Sequence, residues 1–293
     1  MLKESQSQEI TPGNHEKISY TAIGVAYART FSDIPYSKEI SNICDAGNLT
    51  SESAEFHHRI APYLEARFKS LTNLLTQSGV KNILELASGA SQRDLIMTQD
   101  PEVNYIETDL PNMLQQKRAI LDKLCKQIGI QLPKNLNLSE LNALDEDNFR
   151  KVISDFPDGP IAIGHEGLLS YFSHEEKRKL AEIIKNILTE RGGVWITPDI
   201  FTVTDLQTIM KEQSQLGEKT LDQIKARTGR DFDRNVFTDL DEAKEFFSNL
   251  GFDFTIRTIG ETAGELTSTK IGLDKKSVED QLGIKIWELR PKI

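Results

Sequence analysis

The chain has 293 residues, 38% of them hydrophobic and 27% charged, which is enough apolar content for a sizeable core and too much for intrinsic disorder. Forty-five acids against 35 bases leave a net charge of -10, arguing against a general nucleic-acid binder or a partner of anionic membranes, both of which call for a basic surface. Cys44 and Cys125 are too few for a disulfide framework or a thiolate zinc site, no run approaches the ~18 apolar residues of a spanning helix, and Met1–Glu9 lack the apolar stretch of a signal peptide, so a cytoplasmic protein is expected.

Residues 1–17 are polar, with Pro12-Gly13-Asn14, and read as a mobile tail. Helical spacing follows through Ile23, Tyr27 and Phe31 until Pro35 interrupts it. Phe56, Ile60, Tyr63, Leu64, Phe68, Leu71 and Leu75 then recur every three or four residues, predicting one long amphipathic helix ending near Gly79. From Asn82 the chain alternates. Strands are predicted at 82–86, 104–109, 136–144, 160–164 and 194–197. A helix begins at Pro111 and ends before Gly129, and the capping box Ser173-His174-Glu175-Glu176 opens another that ends at Gly192-Gly193. Residues 202–235 are polar and do not alternate with strands. A helix through Leu240–Leu250 precedes two last strands, 251–256 and 284–289, joined without a convincing helix and so expected to pair antiparallel at one edge.

Strands separated by helices imply crossover connections. The fold class is therefore α/β, a doubly wound, mostly parallel sheet with an antiparallel last strand. Residues 18–293 form a single domain, with 18–80 a helical N-terminal extension and 202–235 an insertion placed to cover a pocket. In such sheets ligands sit beyond the carboxyl ends of the strands, at the topological switch point. After the first strand come Ala87-Ser88-Gly89-Ala90-Ser91, small enough for close backbone approach to a ligand, with a helix N-terminus expected to follow. Glu107 and Asp109 end the second strand, and Asp109 lies about 20 residues past the glycine, the spacing at which an acid reaches a ribose diol. Asp109 before Leu110-Pro111 also reads as an ordinary helix N-cap.

His165-Glu166 follows the fourth strand. It begins like a zinc-protease motif, but Leu169 stands where the second histidine belongs. His57-His58 read as a solvated helix face, and no metal site is expected. A phosphate-binding loop with lysine, a nucleophile elbow and the Gly-x-Gly-x-x-Gly pattern are all absent.

These segments, in this order, resemble the S-adenosylmethionine-dependent O-methyltransferases of the leucine carboxyl methyltransferase-like family, whose bacterial members are often linked to polyketide biosynthesis. The resemblance rests on Ser19-Tyr20-Thr21-Ala22, Ala26-Tyr27-Ala28-Arg29, Leu84-Glu85-Leu86-Ala87-Ser88-Gly89 with Arg93, Tyr105-Ile106-Glu107-Thr108-Asp109-Leu110-Pro111 with Lys117, Glu166-Gly167-Leu168-Leu169-Ser170-Tyr171, and Leu250-Gly251-Phe252. Ala87 and Ser91 depart from it, since the family usually carries glycine and aspartate there. The resemblance implies a seven-stranded class I methyltransferase sheet and an S-adenosylmethionine cofactor, released as S-adenosylhomocysteine. It implies that Arg29 holds the cofactor's carboxylate and that Ala87, Ser88 and Gly89 pack against its amino-acid part. Asp109 and Glu107 would bind the ribose, Ala143 and Leu144 with Asp145 or Asn142 would border the adenine, and Glu166 would face the ammonium group. Arg93 reads as a structural salt bridge. The acceptor would be a hydroxyl or carboxylate of a small molecule. His165 and Tyr171 are the nearest candidates for a base, with a structural role for both as the favoured alternative. The competing readings are a nicotinamide-dependent oxidoreductase and a non-catalytic cofactor-binding protein on the same scaffold.

Overall fold

The computed structural model describes residues 20–211 and 234–292. The tail expected at residues 1–17 and most of the 202–235 insertion lie outside the described residues.

Seven strands form one sheet: β1 (Asn82–Glu85), β2 (Asn104–Asp109), β3 (Leu136–Glu140), β4 (Ile161–Gly164), β5 (Gly193–Thr197), β6 (Phe252–Thr258) and β7 (Lys285–Pro291). Their order is β3-β2-β1-β4-β5-β7-β6. β1 to β5 are parallel, and β7 enters between β5 and β6, antiparallel to both. Both faces are buried, and side chains alternate between two cores. Ile83, Tyr105, Ala162, Val194 and Ile286 enter one core, whereas Leu84, Ile106, Ile163, Trp195 and Trp287 enter the other.

Twelve α-helices flank the sheet among the described residues: α1 (Tyr20–Arg29), α2 (Ser37–Ile43), α3 (Ser51–Arg59), α4 (Ala61–Gln77), α5 (Arg93–Met97), α6 (Pro111–Ile128), α7 (Glu146–Ile153), α8 (His174–Arg191), α9 (Val203–Lys211), α10 (Leu240–Asn249), α11 (Ile259–Ala263) and α12 (Lys275–Leu282). α4 and α6 pack into the first core, and α7, α8 and α10 into the second. None of the described helices is long and apolar enough to cross a membrane.

Several expectations are corrected. The long helix over 56–75 is two, α3 and α4, because Pro62 occupies the first turn of α4 and cannot continue a helix from behind. The third strand stops at Glu140, where Leu141 N–H turns to donate to Asp109 O at 3.0 Å. The connection between β6 and β7 holds two helices. A capping box of Thr258 and Glu261 opens α11, and the Asp274 side chain caps α12. His57 does not lie on a solvated face: it is buried, and its Nδ1 donates to Ser53 O at 2.7 Å. Its ring fills the space over Gly24, where a Cβ would overlap it, so α1 and α3 meet through that glycine.

Candidate functional site

Strand order reverses between β1 and β4, so the loops after those strands flank the switch point. The turn after β1 is held in an unusual backbone form. Ala87 has φ 49° and Gly89 φ 58°, and a left-handed alanine costs of order 1 kcal/mol. β2 stabilises this turn. Asp109 Oδ2 accepts from Gly89 N–H at 2.9 Å, its Oδ1 accepts from Leu110 N–H at 2.8 Å, and Thr108 O accepts from Ser88 N–H at 3.0 Å. Asp109 is thus a clamp on the turn, and the N-cap of α6 is Leu110. Burial raises the Asp109 carboxyl against the lowering effect of the two amides. The helix after the turn, α5, is only five residues long and its N-cap Gln92 makes no side-chain bond to the helix amides, so the amides of this turn are held by β2 and not offered by a long helix.

Glu107, one pleat earlier, faces the core. It is fully buried and accepts from Lys117 Nζ at 2.7 Å, and Lys117 also donates to Ser91 O. Burial pushes the Glu107 carboxyl well up, and Asp94 adds to the effect. Lys117 stays charged because Asp94 and Glu107 outweigh its own burial. Glu107 therefore supports the turn from behind through Lys117, while its Oε2 is buried without a partner among the described residues.

On the other side of the switch point Glu166 is surrounded by guanidinium groups. Arg29 Nη2 bonds Glu166 Oε1, Arg93 Nη2 donates to Oε2 at 2.8 Å, and Arg67 Nη2 stands 3.8 Å from Oε1. Burial opposes ionisation of Glu166, but Arg29, Arg93 and Arg67 together hold its carboxyl below the ordinary value. Arg93 also pairs with Glu85, which accepts from Tyr105 OH at 2.6 Å. The Arg29 and Arg93 guanidinium carbons lie 4.6 and 4.5 Å from the Phe68 ring centroid. Arg29 is 3% exposed, and burial lowers its pKa to about 10 despite Glu166. Gln92 joins the extension to the turn by donating to Ser37 Oγ at 2.9 Å and Pro35 O at 3.2 Å. The structure thus brings Arg29 and Glu166, 137 residues apart, to one point.

The remaining expected residues are more distant in role. Ala143 and Leu144 pack against the second core, and Asp145 caps α7 by accepting from Asn148 N–H at 3.1 Å. Leu144 and Asp145 line an open surface groove with Asn142, Glu146, Asp147 and Lys179. His165 is fully buried. Its Nδ1–H donates to Asp199 Oδ2 at 3.0 Å, and its Nε2 accepts from Trp195 Nε1–H at 3.0 Å. Both ring nitrogens are engaged, so the imidazole orients Asp199 and has no lone pair for an acceptor's proton. Tyr171 ends the short turn Leu169–Tyr171 and is half-buried.

Sequence reasoning missed Arg67, Tyr63 and Asp199. Asp199 lies two residues past β5, as Glu166 lies two residues past β4. Arg67 falls between Tyr63 and Leu71 on the apolar stripe of α4, where a charge has no place unless it is partnered.

No family model matches the chain. Its fold is shared with solved structures at low identity. A DUF574-family protein of Streptomyces avermitilis is 15% identical, with 96% of this chain and 99% of that one aligned at a TM-score of 0.56. A putative methyltransferase of Thermobifida fusca is 13% identical, with 95% and 96% aligned at 0.57. The seven-stranded sheet with its inserted antiparallel strand is the class I methyltransferase fold.

Proposed function

We propose that the chain is an S-adenosylmethionine-dependent O-methyltransferase acting on a small molecule. One observation carries the reading: a buried Arg29–Glu166 ion pair stands at the switch point of a methyltransferase fold whose first turn is bent into a left-handed form and clamped by Asp109. The cofactor supplies a sulfonium-bound methyl group, an adenosine and a zwitterionic amino-acid end. The residues present fit it. Arg29 Nε is buried without a partner and suits a carboxylate, and Glu166, kept ionised by its guanidinium neighbours, suits an ammonium. Ser88 Oγ is likewise buried and unpartnered within the turn. Each Asp109 oxygen takes one backbone amide and retains a lone pair for a ribose hydroxyl. The alanine and serine at 87 and 91 are compatible with this arrangement, because Ala87 reaches the left-handed conformation and Ser91 O is used by Lys117.

Methyl transfer needs alignment and exclusion of water more than acid–base work. That suits a site built from buried ion pairs, in which His165 is a positioning residue for Asp199.

Thermal unfolding with S-adenosylhomocysteine, with NAD as control, tests the reading. At ~100 times its dissociation constant a ligand adds about 2.7 kcal/mol, a shift of several degrees. A shift with S-adenosylhomocysteine alone is expected. A shift with NAD alone moves the case to an oxidoreductase, and no shift with either contradicts cofactor binding.

A further inference from the structure

Arg67 is the least satisfied of the three guanidiniums. It is 8% exposed, its Nη1 donates to Tyr63 OH at 3.2 Å, and its carbon lies 5.3 Å from the Tyr63 ring centroid. Among the described residues Nη2 has only Glu166 Oε1 at 3.8 Å, beyond hydrogen-bond reach, and Nε is buried with no partner. The Nε–H and Nη2–H of a guanidinium point the same way and match the two oxygens of a carboxylate. Both nitrogens of that edge are open on Arg67, whereas on Arg29 Nη2 is taken by Glu166 and Nε alone is free, and on Arg93 all three nitrogens are engaged, by Thr72, Glu85 and Glu166. Beside it stands Gly167, half-exposed and at φ 79°, where a Cβ would come within 3.8 Å of Nη2. Bare backbone therefore flanks the open edge.

A second unsatisfied group is near. Asp199 is 1% exposed, its Oδ2 accepts from His165 Nδ1 and, at 2.8 Å, from Leu168 N–H, and its Oδ1 is buried without a partner. Burial opposes the charge on both groups, but each helps to stabilise the other's charged form, so the two act on one another. A buried donor edge and a buried acceptor oxygen left unmade each cost about 1–3 kcal/mol, and a ligand that supplies a carboxylate and a hydroxyl satisfies both.

We propose that Arg67 and Asp199 form the recognition subsite for the methyl acceptor and that the acceptor is a hydroxy acid, its carboxylate on the Nε/Nη2 edge of Arg67 and its hydroxyl donating to Asp199 Oδ1. This rests on the methyltransferase reading and narrows it. A carboxylate neutralised by a guanidinium fork is a poor nucleophile, which leaves the hydroxyl as the oxygen to be methylated: its O–CH3 bond would form as the sulfonium S–CH3 bond breaks to leave the neutral thioether, and its proton would pass to Asp199 Oδ1.

The test is titration calorimetry on the full chain saturated with S-adenosylhomocysteine, using lactate, 3-hydroxybenzoate and 4-hydroxybenzoate, with phenol and methyl 4-hydroxybenzoate as uncharged controls. At least one acid is expected to bind and the controls not to. Its affinity should fall at least tenfold, about 1.4 kcal/mol, in Arg67→Gln. It should also fall in Arg67→Lys, which keeps the charge without the fork. Asp199→Asn should weaken the hydroxy acid and leave benzoate unaffected. S-adenosylhomocysteine affinity should stay within about threefold of wild type in Arg67→Lys, which keeps the positive charge beside Glu166. If Arg67→Gln fails to fold, Arg67→Lys decides. Acid affinity unchanged in the Arg67 variants, or no acid bound at up to about 20 mM while S-adenosylhomocysteine binds normally, overturns the proposal. A tenfold loss of S-adenosylhomocysteine affinity in Arg67→Lys reassigns Arg67 to the cofactor and also overturns it. Failure of wild type to bind S-adenosylhomocysteine overturns the methyltransferase reading itself.

Discussion

Glu166 shows how one carboxylate organises several elements. It carries bonds from Arg29 and Arg93 and stands near Arg67, so its removal leaves guanidinium charge buried without compensation. Glu166→Gln is expected to destabilise the fold by about 3–5 kcal/mol in denaturant unfolding. The pH dependence has a definite sign. The folded carboxyl titrates below its ordinary 4.5, so its contribution is complete above that pH and is lost as pH falls through the folded value. The stability gap between wild type and Glu166→Gln should therefore narrow below pH 4.5, and a gap constant down to strong acid would remove Glu166 from this account. Asp109→Ala deprives the Gly89 and Leu110 amides of their acceptor and should weaken S-adenosylhomocysteine binding by more than tenfold, about 1.4 kcal/mol, measured by calorimetry. His165→Phe strands the Trp195 indole N–H and leaves Asp199 Oδ2 with the Leu168 amide as its remaining donor. It should cost about 1–3 kcal/mol of stability for each group left unpaired, seen as a lowered midpoint of thermal unfolding.

At the scale of elements, Arg29 is delivered by α1, and α1 is seated by contacts far from the charge it presents. Gly24 receives the His57 ring of α3, and Gln92 grips Ser37 and Pro35 beyond the end of α1. Gly24→Ala forces the imidazole aside and should destabilise by about 1–3 kcal/mol, with weaker S-adenosylhomocysteine binding as Arg29 shifts. Unchanged stability and binding would show that α1 docks by other means. This dependence was not legible in the sequence, because adjacent His57 and His58 look alike while only one of them finds a glycine opposite. The same holds for Glu107 and Asp109. Both are acids on one face of β2, but the first lies within the strand, buried against Lys117, and the second lies at its carboxyl end beside the turn. The split of α3 from α4 was available in Pro62, and the helices between β6 and β7 in the Thr258–Glu261 pair and the Asp274 cap. Their short apolar content hid them.

The whole molecule was more legible than its site. Parallel strands buried on both faces announce themselves as apolar runs, and β1, β2, β4 and β5 stand where those runs predict. What sequence spacing cannot supply is which distant charges meet. Arg29, Arg67, Glu85, Arg93 and Glu166 come from α1, α4, the end of β1, the start of α5 and the loop after β4, and only the strand order of the sheet gathers them. The net charge of -10 coexists with a site centred on three guanidiniums, so a composition average says little about the local field a ligand meets.

The most direct test of the central claim compares S-adenosylhomocysteine with adenosine, by calorimetry, on wild type and on Arg29→Met. The account predicts that wild type binds S-adenosylhomocysteine, that Arg29→Met weakens it by at least tenfold, about 1.4 kcal/mol, and that adenosine, which has no carboxylate, binds both proteins alike. Equal affinity of both proteins for S-adenosylhomocysteine, or none in wild type, would contradict a cofactor held at the Arg29–Glu166 pair.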